Sequence, residues 1–281
     1  MAGLMHETAR SDDDFNEDLL PDLPAGRTWV PVGSGESGDK VYCRSDGVAY
    51  AKLSQGLGAA RLDGERRRTE WLAATGLGSL TVLDWRMSDS GACLVTRTVP
   101  GVSASELSAS ALSAAWPSIA RQIKALHDLP VADCPFERGL STMVDRAADV
   151  VGRGAVNPDF LDPDQRAIPA AVLLARLQAD MPRRLAQEAG DLVVCHGDAC
   201  LPNVMVDPDT YRCTGLIDLG RLGTADRYVD LALLLANARE SWTSPGDAPA
   251  ARARLFDIHA IAQPDQERLD FYLRLDPLTW G

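Results

Sequence analysis

The period of the hydrophobic pattern changes near Pro100 and Gly101, and this change constrains the fold more than any other feature of the sequence. Before it, short alternating runs typical of strands surround one helical stretch at residues 58–75. After it, apolar residues recur at helical spacing through residues 103–129 and again within residues 139–190. The pattern therefore predicts an α+β chain with a small β-rich N-terminal part and a larger, mainly helical C-terminal part.

Turn-forming residues divide the two parts further. A Ser-Asp-Gly turn at residues 45–47 predicts a hairpin, and a second turn at residues 88–91 predicts two more strands. Gly76 is suited to end the helix at residues 58–75. In the C-terminal part, residues 191–218 return to short strands, and helices are predicted at residues 228–242 and 267–281.

Composition excludes several classes of protein. The 281 residues are 46% hydrophobic and 24% charged, which is typical of a globular protein with one large or two smaller domains. No apolar run approaches the roughly 20 residues of a membrane span, and the acidic N-terminus does not resemble a signal peptide. The net charge of −12 disfavours nucleic acid and would attract a cationic small molecule, although it also simply favours solubility. We expect a cytoplasmic monomer with no nucleic-acid or membrane partner.

A glycine-rich segment, GSGESG at residues 33–38, matches G-x-G-x-x-G. A dinucleotide-binding turn would need a helix after the glycines, and a P-loop would need Lys directly after the second framing glycine. Neither is present, because Asp39, Lys40 and an alternating run follow. A hairpin loop over the phosphates of ATP remains, beside the alternative of a plain tight turn. The first interpretation predicts phosphate contacts from Gly35, Ser37 and Gly38.

Lys52 lies in the strand-like run VAYAKL, where a lysine needs solvent or a partner. In kinase-type sites such a lysine binds ATP phosphates and is held by a glutamate of the next helix. Glu65 is the first candidate for that glutamate, and Glu70 is the alternative. An exposed strand lysine remains the simpler interpretation of Lys52 alone.

The segment VVCHGDACLPNVMV, residues 193–206, places polar groups between two apolar runs. Its pattern is H-G-D-x-x-x-x-N, and Asp218 follows in the run LIDLG. Phosphoryl transfer needs a carboxylate at the attacking hydroxyl and hard oxygen ligands for magnesium. We predict Asp198 as the catalytic carboxylate, with Asn203 and Asp218 as magnesium ligands. The alternative is that Asp198 forms a turn and Asn203 caps a helix.

The Cys and His residues of this segment are predicted to be structural. His196 would brace the loop through hydrogen bonds, and Cys195 and Cys200 would pack in the interior. A zinc site from these residues and Cys213 is disfavoured, since the spacing matches no common structural zinc pattern and there is no C-x-x-C pair.

These motifs together resemble the aminoglycoside phosphotransferases, which are relatives of the protein kinases. GESGDKVY, AYAKL, GERRRTEWL, the H-G-D-x-x-x-x-N loop and ADRYVDLA occur in the order and spacing of that family. The resemblance implies a protein-kinase-like bilobal fold with bound ATP and Mg²⁺. On that basis we assign residues 1–25 to an acidic disordered tail, residues 26–99 to a nucleotide-binding N-terminal lobe and residues 100–281 to a catalytic C-terminal lobe.

The resemblance also implies roles for single residues. Lys52 and Glu65 would hold the ATP phosphates, and residues 97–101 would form an interlobe hinge whose main-chain groups bind adenine, with Arg97 and Val99 as contacts. Asp230 would brace the catalytic loop. Arg221 and Asp226 would be further braces or substrate contacts.

Several segments, among them GACLVT, CPFERGLS and FYLRLDPLTWG, resemble the subgroup that phosphorylates the 3''-hydroxyl of streptomycin. Streptomycin carries two guanidinium groups and a methylamine, which carboxylates can bind. Candidate carboxylates are Asp159, Asp162, Asp270 and Asp276. The alternatives are the same chemistry on another aminoglycoside, sugar or choline-like substrate, and a catalytically dead nucleotide-binding regulator. A protein kinase is disfavoured, because Leu219 replaces Phe of the Asp-Phe-Gly segment.

Overall fold

The computed structural model describes residues 17–32, 38–77 and 80–281. Contacts divide them into two units, one with the described residues up to Glu70 together with Thr81–Thr98, and one with Trp71–Leu80 and Val99–Gly281. The segment Trp71–Leu80, which the sequence assigned to the N-terminal lobe, groups with the second unit because Leu72 and Leu80 are buried in its core.

The first unit is a five-stranded antiparallel sheet with one long helix. The strand order is β1-β2-β3-β5-β4. The elements are β1 Trp29–Val32, β2 Lys40–Arg44, β3 Ala49–Gln55, α1 Leu57–Ala74, β4 Val82–Ser88 and β5 Gly91–Arg97. Both predicted hairpins and the predicted helix are confirmed, and Gly76 has the expected left-handed conformation after α1, with φ of 80°.

The segment before β1 differs from the expected disordered tail. Glu17–Leu19 form a 3-10 helix, and Tyr42 Oη donates a hydrogen bond to Glu17 Oε1 at 2.6 Å. Leu19 and Leu20 pack against the core formed around Tyr42. The described part of the tail is held to the sheet because it covers this apolar face. Residues 1–16 lie outside the described residues.

The second unit is mainly helical and contains two small antiparallel sheets, of order β10-β7 and β6-β8-β9. Its strands are β6 Val102–Ser103, β7 Leu192–Cys195, β8 Val204–Val206, β9 Cys213–Leu216 and β10 Gly223–Asp226. Its helices are α2 Ala109–His127, α3 Leu140–Gly152, α4 Ala170–Asp191, α5 Tyr228–Asn237, α6 Asp247–Ile258 and α7 Gln266–Leu275. The expected α+β fold class, with a β-rich N-terminal unit and a helical C-terminal unit, is confirmed.

Three helices begin or end elsewhere than the sequence predicted. The helix expected at residues 267–281 ends at Leu275 and is followed by a 3-10 turn at Asp276–Thr279. The helix expected from residue 103 starts at Ala109, because the Ser108 side chain accepts a hydrogen bond from Ala111 N and caps it. The helix expected at residues 228–242 ends at Asn237 and continues only as a 3-10 turn at Arg239–Ser241. Among the described helices, none is both long and apolar enough to cross a membrane.

The core of the second unit is built around α2 and α5. Leu112, Ile119 and Ile123 recur on one face of α2 and are fully buried, each contributing about 1.5–3 kcal/mol by burial. Trp116 in the same row donates its Nε1 proton to Ala251 O at 2.8 Å, which joins α2 to α6. This packing fixes the ends of β7 and β10, where the polar residues of the candidate site begin.

His259, which follows α6, is a buried imidazole that favours the neutral form. Burial, together with the charges of His127 and Lys124, lowers the pKa of His259 to about 3. An unfolded histidine binds a proton below about pH 6.5. The unfolded state therefore binds more protons than the folded state as the pH falls from about 6.5, and the folded chain loses stability in that window.

We predict that the free energy of unfolding falls by about 1.4 kcal/mol per pH unit below pH 6.5 through His259. His259→Leu should lack this contribution. Urea unfolding at pH 7 and pH 5 measures it: the wild type should lose about 2 kcal/mol more than the variant between the two values. Equal losses would show that His259 does not stay neutral in the fold.

Candidate active site

The segment VVCHGDACLPNVMV forms a loop between two strands, as its pattern predicts. β7 ends at Cys195, a 3-10 turn covers Leu201–Asn203, and β8 begins at Val204. Ile217 N donates to Asn203 O at 2.9 Å, which ties the end of this loop to the strand end that carries Asp218. The loop and Asp218 therefore belong to one site in the second unit.

Asp198 and Asn203 are in direct contact. Asn203 Nδ2 donates to Asp198 O at 3.0 Å and to Asp198 Oδ2 at 3.1 Å. The five-residue step thus brings the two side chains together across the turn. Since the amide nitrogen of Asn203 is used by Asp198, its carbonyl oxygen is the atom that a hard cation would take.

The electrostatic surroundings of Asp198 favour a carboxylate that accepts a proton. Burial raises the pKa of Asp198, as do the nearby carboxylates of Asp276 and Asp218, while His196 and Arg221 lower it. The net effect is a pKa above the ordinary aspartate value. A raised pKa strengthens a carboxylate as a general base.

Asp218 has an unusual backbone conformation. Its φ of 57° and ψ of 63° lie in the left-handed region, and it begins the 3-10 turn Leu219–Arg221. A residue other than glycine in this region carries strain that is common at functional sites. The strained turn lies where the sequence predicts a metal ligand.

His196 braces the loop through both ring nitrogens. Its Nε2 lies 3.0 Å from Ile217 O, and its Nδ1 accepts from Asp198 N at 3.2 Å. A carbonyl accepts and an amide donates, so these contacts assign the neutral tautomer protonated at Nε2. Both ring nitrogens of His196 therefore make hydrogen bonds that hold the loop in place. This agrees with the structural role expected for His196.

Gly197 and Arg138 form a close contact that the sequence did not predict. Arg138 Nη2 donates to Gly197 O at 3.0 Å, and Gly197 has φ of 80°. A Cβ at Gly197 would lie 2.2 Å from Arg221 O and 2.6 Å from Arg138 Cδ. Only glycine fits this position. No local pattern marks Arg138, because its partner is 59 residues away.

Asp276 and Trp280, near the end of the chain, form a cluster with Arg221. The Arg221 guanidinium lies 3.5 Å from the ring centroid of Trp280, and its Nη1 lies 3.2 Å from Asp276 Oδ1. Trp280 Nε1 donates to Asp276 Oδ2 at 3.0 Å. Arg138 Nη2 lies 3.9 Å from Asp276 Oδ1 and donates to Gly197 O at 3.0 Å, so this cluster adjoins the loop that carries Asp198.

Other predicted carboxylates have different surroundings. Asp226 is fully buried and accepts from Arg268 Nε at 2.6 Å and Tyr272 Oη at 2.9 Å, so it is a brace and not a substrate contact. Asp270 accepts from Gln266 Nε2 on the surface of α7. Nothing in their contacts singles out Asp159 or Asp162.

A different Cys and His group lies beneath the loop. His127, Cys195 and Asp230 come within 4.8 Å of one another, the one His, Cys, Asp or Glu group with metal-like spacing among the described residues. Burial, with the charges of Asp230 and Asp226, raises the pKa of the Cys195 thiol well above its usual range. The polar atoms of this group are engaged in hydrogen bonds: His127 Nε2 with Asp230 Oδ2, the Cys195 thiol with Asp226 O, and Asp230 with the amides of His196 and Gly197.

In the first unit, Lys52 and Glu65 form the predicted ion pair. Lys52 Nζ lies 2.9 Å from Glu65 Oε2, and both side chains are largely shielded from solvent. Glu70, the alternative partner, instead pairs with Arg66 at 2.8 Å on the exposed face of α1. The geometry therefore selects Glu65.

The remaining predicted nucleotide contacts are only partly described. Gly35 and Ser37 lie outside the described residues, and Gly38 has a left-handed backbone with φ of 75°. Arg97 N already donates to Thr81 O at 2.9 Å, so that amide is not open to adenine. Val99 is buried in the core of the second unit, which leaves only its main chain as a possible contact.

We predict that Gly197→Ala destabilises the chain and lowers its activity, because the added Cβ meets Arg221 O and the left-handed backbone costs about 1–3 kcal/mol. The midpoint of thermal unfolding should fall by several degrees. Gly190→Ala in α4 is the control, since its Cβ would meet nothing within 4 Å. A variant at Gly197 as stable as the one at Gly190 would contradict the described loop geometry.

Comparisons with known proteins show which proteins this chain is similar to. Residues 28–272 match the model of the phosphotransferase enzyme family. The streptomycin 3''-kinase of Streptomyces griseus is 54% identical over 264 residues, which cover 94% of this chain and 97% of that protein. The structure of aminoglycoside phosphotransferase APH(3'')-Id from Streptomyces rimosus with ADP and streptomycin is 49% identical, with a TM-score of 0.85 and coverage of 90% of this chain and 93% of that one. An aminoglycoside 3'-phosphotransferase of Streptomyces fradiae is 38% identical over 88% of this chain and 94% of its own length.

Proposed function

This chain belongs to the phosphotransferase enzyme family, and from that premise we propose that it transfers the γ-phosphoryl group of ATP to the 3''-hydroxyl of streptomycin. The observation that carries the substrate is the 54% identity, over 94% of the chain, to a streptomycin 3''-kinase. The solved relative with ADP and streptomycin supports both substrates. The product would be a phosphorylated and therefore inactivated antibiotic.

Asp198 is the residue proposed to contact the reacting hydroxyl. Its carboxylate orients the hydroxyl for in-line attack and accepts the proton as the new bond forms. The raised pKa of Asp198, caused by burial and by the neighbouring carboxylates, supports that role. Asn203 holds the Asp198 side chain through its amide, so the carboxylate keeps one orientation.

Asn203 and Asp218 offer the donor set that a magnesium ion prefers. Both present oxygen atoms, and the Asn203 carbonyl is the amide atom not used by Asp198. Bound Mg²⁺ would neutralise charge on the phosphates of ATP. The left-handed backbone of Asp218, a strained conformation that is common at functional sites, supports a ligand role.

Lys52 is proposed to bind the phosphates of ATP, with Glu65 holding its ammonium in place. The glycine loop, through Gly35, Ser37 and Gly38, would supply backbone amides to the same phosphates. Main-chain groups of residues 97–101 would hold adenine.

The charge of the chain suits the proposed acceptor. Streptomycin is a polycation, and the chain carries a net charge of −12. Among the candidate carboxylates, Asp276 is linked to the Asp198 loop, because Arg138 lies 3.9 Å from it and also donates to Gly197 O. We further propose that the enzyme acts as a monomer in the cytoplasm, where ATP is available.

The activity is tested by incubating the chain with ATP and a panel of aminoglycosides and identifying the products by mass spectrometry. Streptomycin should gain one phosphoryl group while ATP is converted to ADP. Phosphorylation of another aminoglycoside but not of streptomycin would refute the proposed acceptor and leave the chemistry intact.

We predict that Asp198→Asn lowers kcat roughly 10²- to 10⁴-fold, because the amide cannot accept the proton of the hydroxyl. The fold should persist, since Asn keeps the size of the side chain. Asp209→Asn, in the exposed turn after β8, is the matched control and should keep full activity. Near-normal turnover by the Asp198 variant would remove that residue from the mechanism.

We predict that Glu65→Gln weakens the binding of ATP about tenfold, or ~1.4 kcal/mol, because Lys52 loses its ionised partner. Glu70→Gln removes the same charge from the same helix but affects only the ion pair with Arg66. The affinity of this variant for ATP should therefore be unchanged. Calorimetric titration with ATP compares the two. Equal affinities of the two variants would mean that the Lys52–Glu65 pair does not serve nucleotide binding.

A further inference from the structure

Arg138 is a largely buried cation to which the proposed reaction assigns no role. Its side chain is 14% exposed, and its Nε has no hydrogen-bond partner among the described residues. Burial lowers the pKa of Arg138, while the charges of Asp276 and Asp198 oppose this effect. Because a guanidinium stays charged in a protein, burying it here costs free energy that its contacts must offset.

The backbone of Arg138 is fixed beside β10. Arg138 N donates to Thr224 O at 3.0 Å, and Thr224 N donates to Phe136 O at 2.8 Å. The approach is close, since a Cβ at Gly223 would lie 3.1 Å from Arg138 Cβ. The side chain therefore starts from a defined point next to β10, the strand that pairs with β7.

From this point the guanidinium reaches the peptide that joins Gly197 to Asp198. Arg138 Nη2 donates to Gly197 O at 3.0 Å. At the other edge of the same peptide, Asp198 N donates to His196 Nδ1 at 3.2 Å. Because the peptide is planar and both of its polar groups are held, its orientation is fixed, and with it the direction in which the Asp198 side chain leaves the backbone.

Gly197 makes the contact with Arg138 important for the conformation of the loop. Its φ of 80° is one of several conformations that a glycine adopts with similar ease, so its own backbone does not select this one. Asp230 binds the amides of His196 and Gly197, which lie before the peptide in question. Among the described contacts, Arg138 is the donor that holds the carbonyl of Gly197.

Asp276 supplies the negative charge that accompanies this buried cation. Its Oδ1 lies 3.9 Å from Arg138 Nη2 and 3.2 Å from Arg221 Nη1. Its Oδ2 accepts from Trp280 Nε1 at 3.0 Å, which keeps the carboxylate in one orientation. The guanidinium of Arg138 is therefore shared between the catalytic loop and a carboxylate near the end of the chain.

We propose that Arg138 is a positioning residue for phosphoryl transfer: the hydrogen bond from its Nη2 to Gly197 O fixes the peptide before Asp198, and so the direction of the Asp198 carboxylate. The inference rests on the proposed function, because Asp198 is the proposed catalytic residue. It assigns to the segment between α2 and α3 a part in the reaction that acts through the backbone and needs no contact with substrate.

Arg184 provides a matched control for the loss of a buried cation. Its side chain is 2% exposed, and its guanidinium contacts Asp180 and the ring of Phe271. It lies on α4 and has no contact with the catalytic loop in the described structure. Replacing either arginine by Met removes a buried charge from the second unit, but only Arg138→Met removes the donor to Gly197 O.

The experiment compares Arg138→Lys, Arg138→Met, Arg138→Gln and Arg184→Met at a pH near 7.5, by streptomycin kinetics and by amide hydrogen exchange of Asp198. Lysine carries a donor close to the position of the guanidinium, and methionine has a similar unbranched stem without a donor. A glutamine amide ends near the position of Nε and does not reach Gly197 O.

We expect Arg138→Met and Arg138→Gln to lower kcat at least about tenfold with unchanged affinity for ATP, because the reacting carboxylate loses its fixed direction. Arg138→Lys should retain most of kcat. Arg184→Met should lower the unfolding temperature and leave kcat unchanged.

Amide exchange in the free protein gives a readout that does not depend on activity. The Asp198 amide should exchange at least about tenfold faster in Arg138→Met than in Arg138→Lys, because its peptide is no longer held. If Arg138→Met does not fold, Arg138→Gln takes its place in this comparison.

Equal kcat and equal exchange in the Lys variant and the variant without the donor would overturn the inference. A loss of kcat without faster exchange, or faster exchange without a loss of kcat, would overturn it as well. A wild type inactive on streptomycin would refute the proposed function instead, while the exchange rates would still decide whether Arg138 holds the loop.

Discussion

The buried carboxylate of Asp230 is the interaction on which the rest of the candidate site depends. It joins α5 to the end of β7 and to the last residue of α2, and it is fully buried and hydrogen-bonded to all three partners. A buried charge of this kind is stable only when its partners are complete. The amides of His196 and Gly197 and the imidazole of His127 therefore act together, because they bind the same carboxylate. They determine the position at which the loop leaves the hydrophobic core, immediately before Asp198.

The packing that forms the hydrophobic core of the second unit also positions the polar residues of the site. The apolar face of α2 anchors the helix, which brings His127 beneath the loop, and the short sheet of β7 and β10 holds the loop at one edge. Gly197 allows the chain to pass between Arg138 and Arg221 O at a distance that no side chain would permit. The loop contacts thus position the backbone of Asp198, and the amide of Asn203 holds one oxygen of its carboxylate.

The sequence predicted the parts of the site whose residues share a short spacing. Asp198 and Asn203 are five residues apart, and Lys52 and Glu65 are thirteen apart across one turn and helix, so residue type and local pattern were enough to find them. The choice of Glu65 over Glu70 needed the structure, because the two lie on different faces of α1 and the sequence does not show which face meets Lys52. The change of period near Pro100 likewise predicted the α+β order of the fold.

Contacts between distant residues could not be predicted in this way. His127 and Asp230 are 103 residues apart, Arg138 and Gly197 are 59 apart, and neither His127 nor Arg138 belongs to a local pattern with its partner. The sequence also did not predict the early end of α5 or the presence of α6. The apolar periodicity of these two helices is weak, and packing sets where they begin and end. The sequence thus predicted candidate reacting groups, and the structure supplies the contacts that orient these residues.

If the Asp198 loop directs phosphoryl transfer to one hydroxyl of streptomycin, the product carries its phosphate at one position. Two-dimensional ³¹P–¹H correlation of the purified product locates the phosphate on the carbon skeleton. We expect a single phosphorus signal coupled to the proton on the 3'' carbon. A phosphate on any other hydroxyl, or a mixture of positions, would show that the loop does not direct transfer in this way.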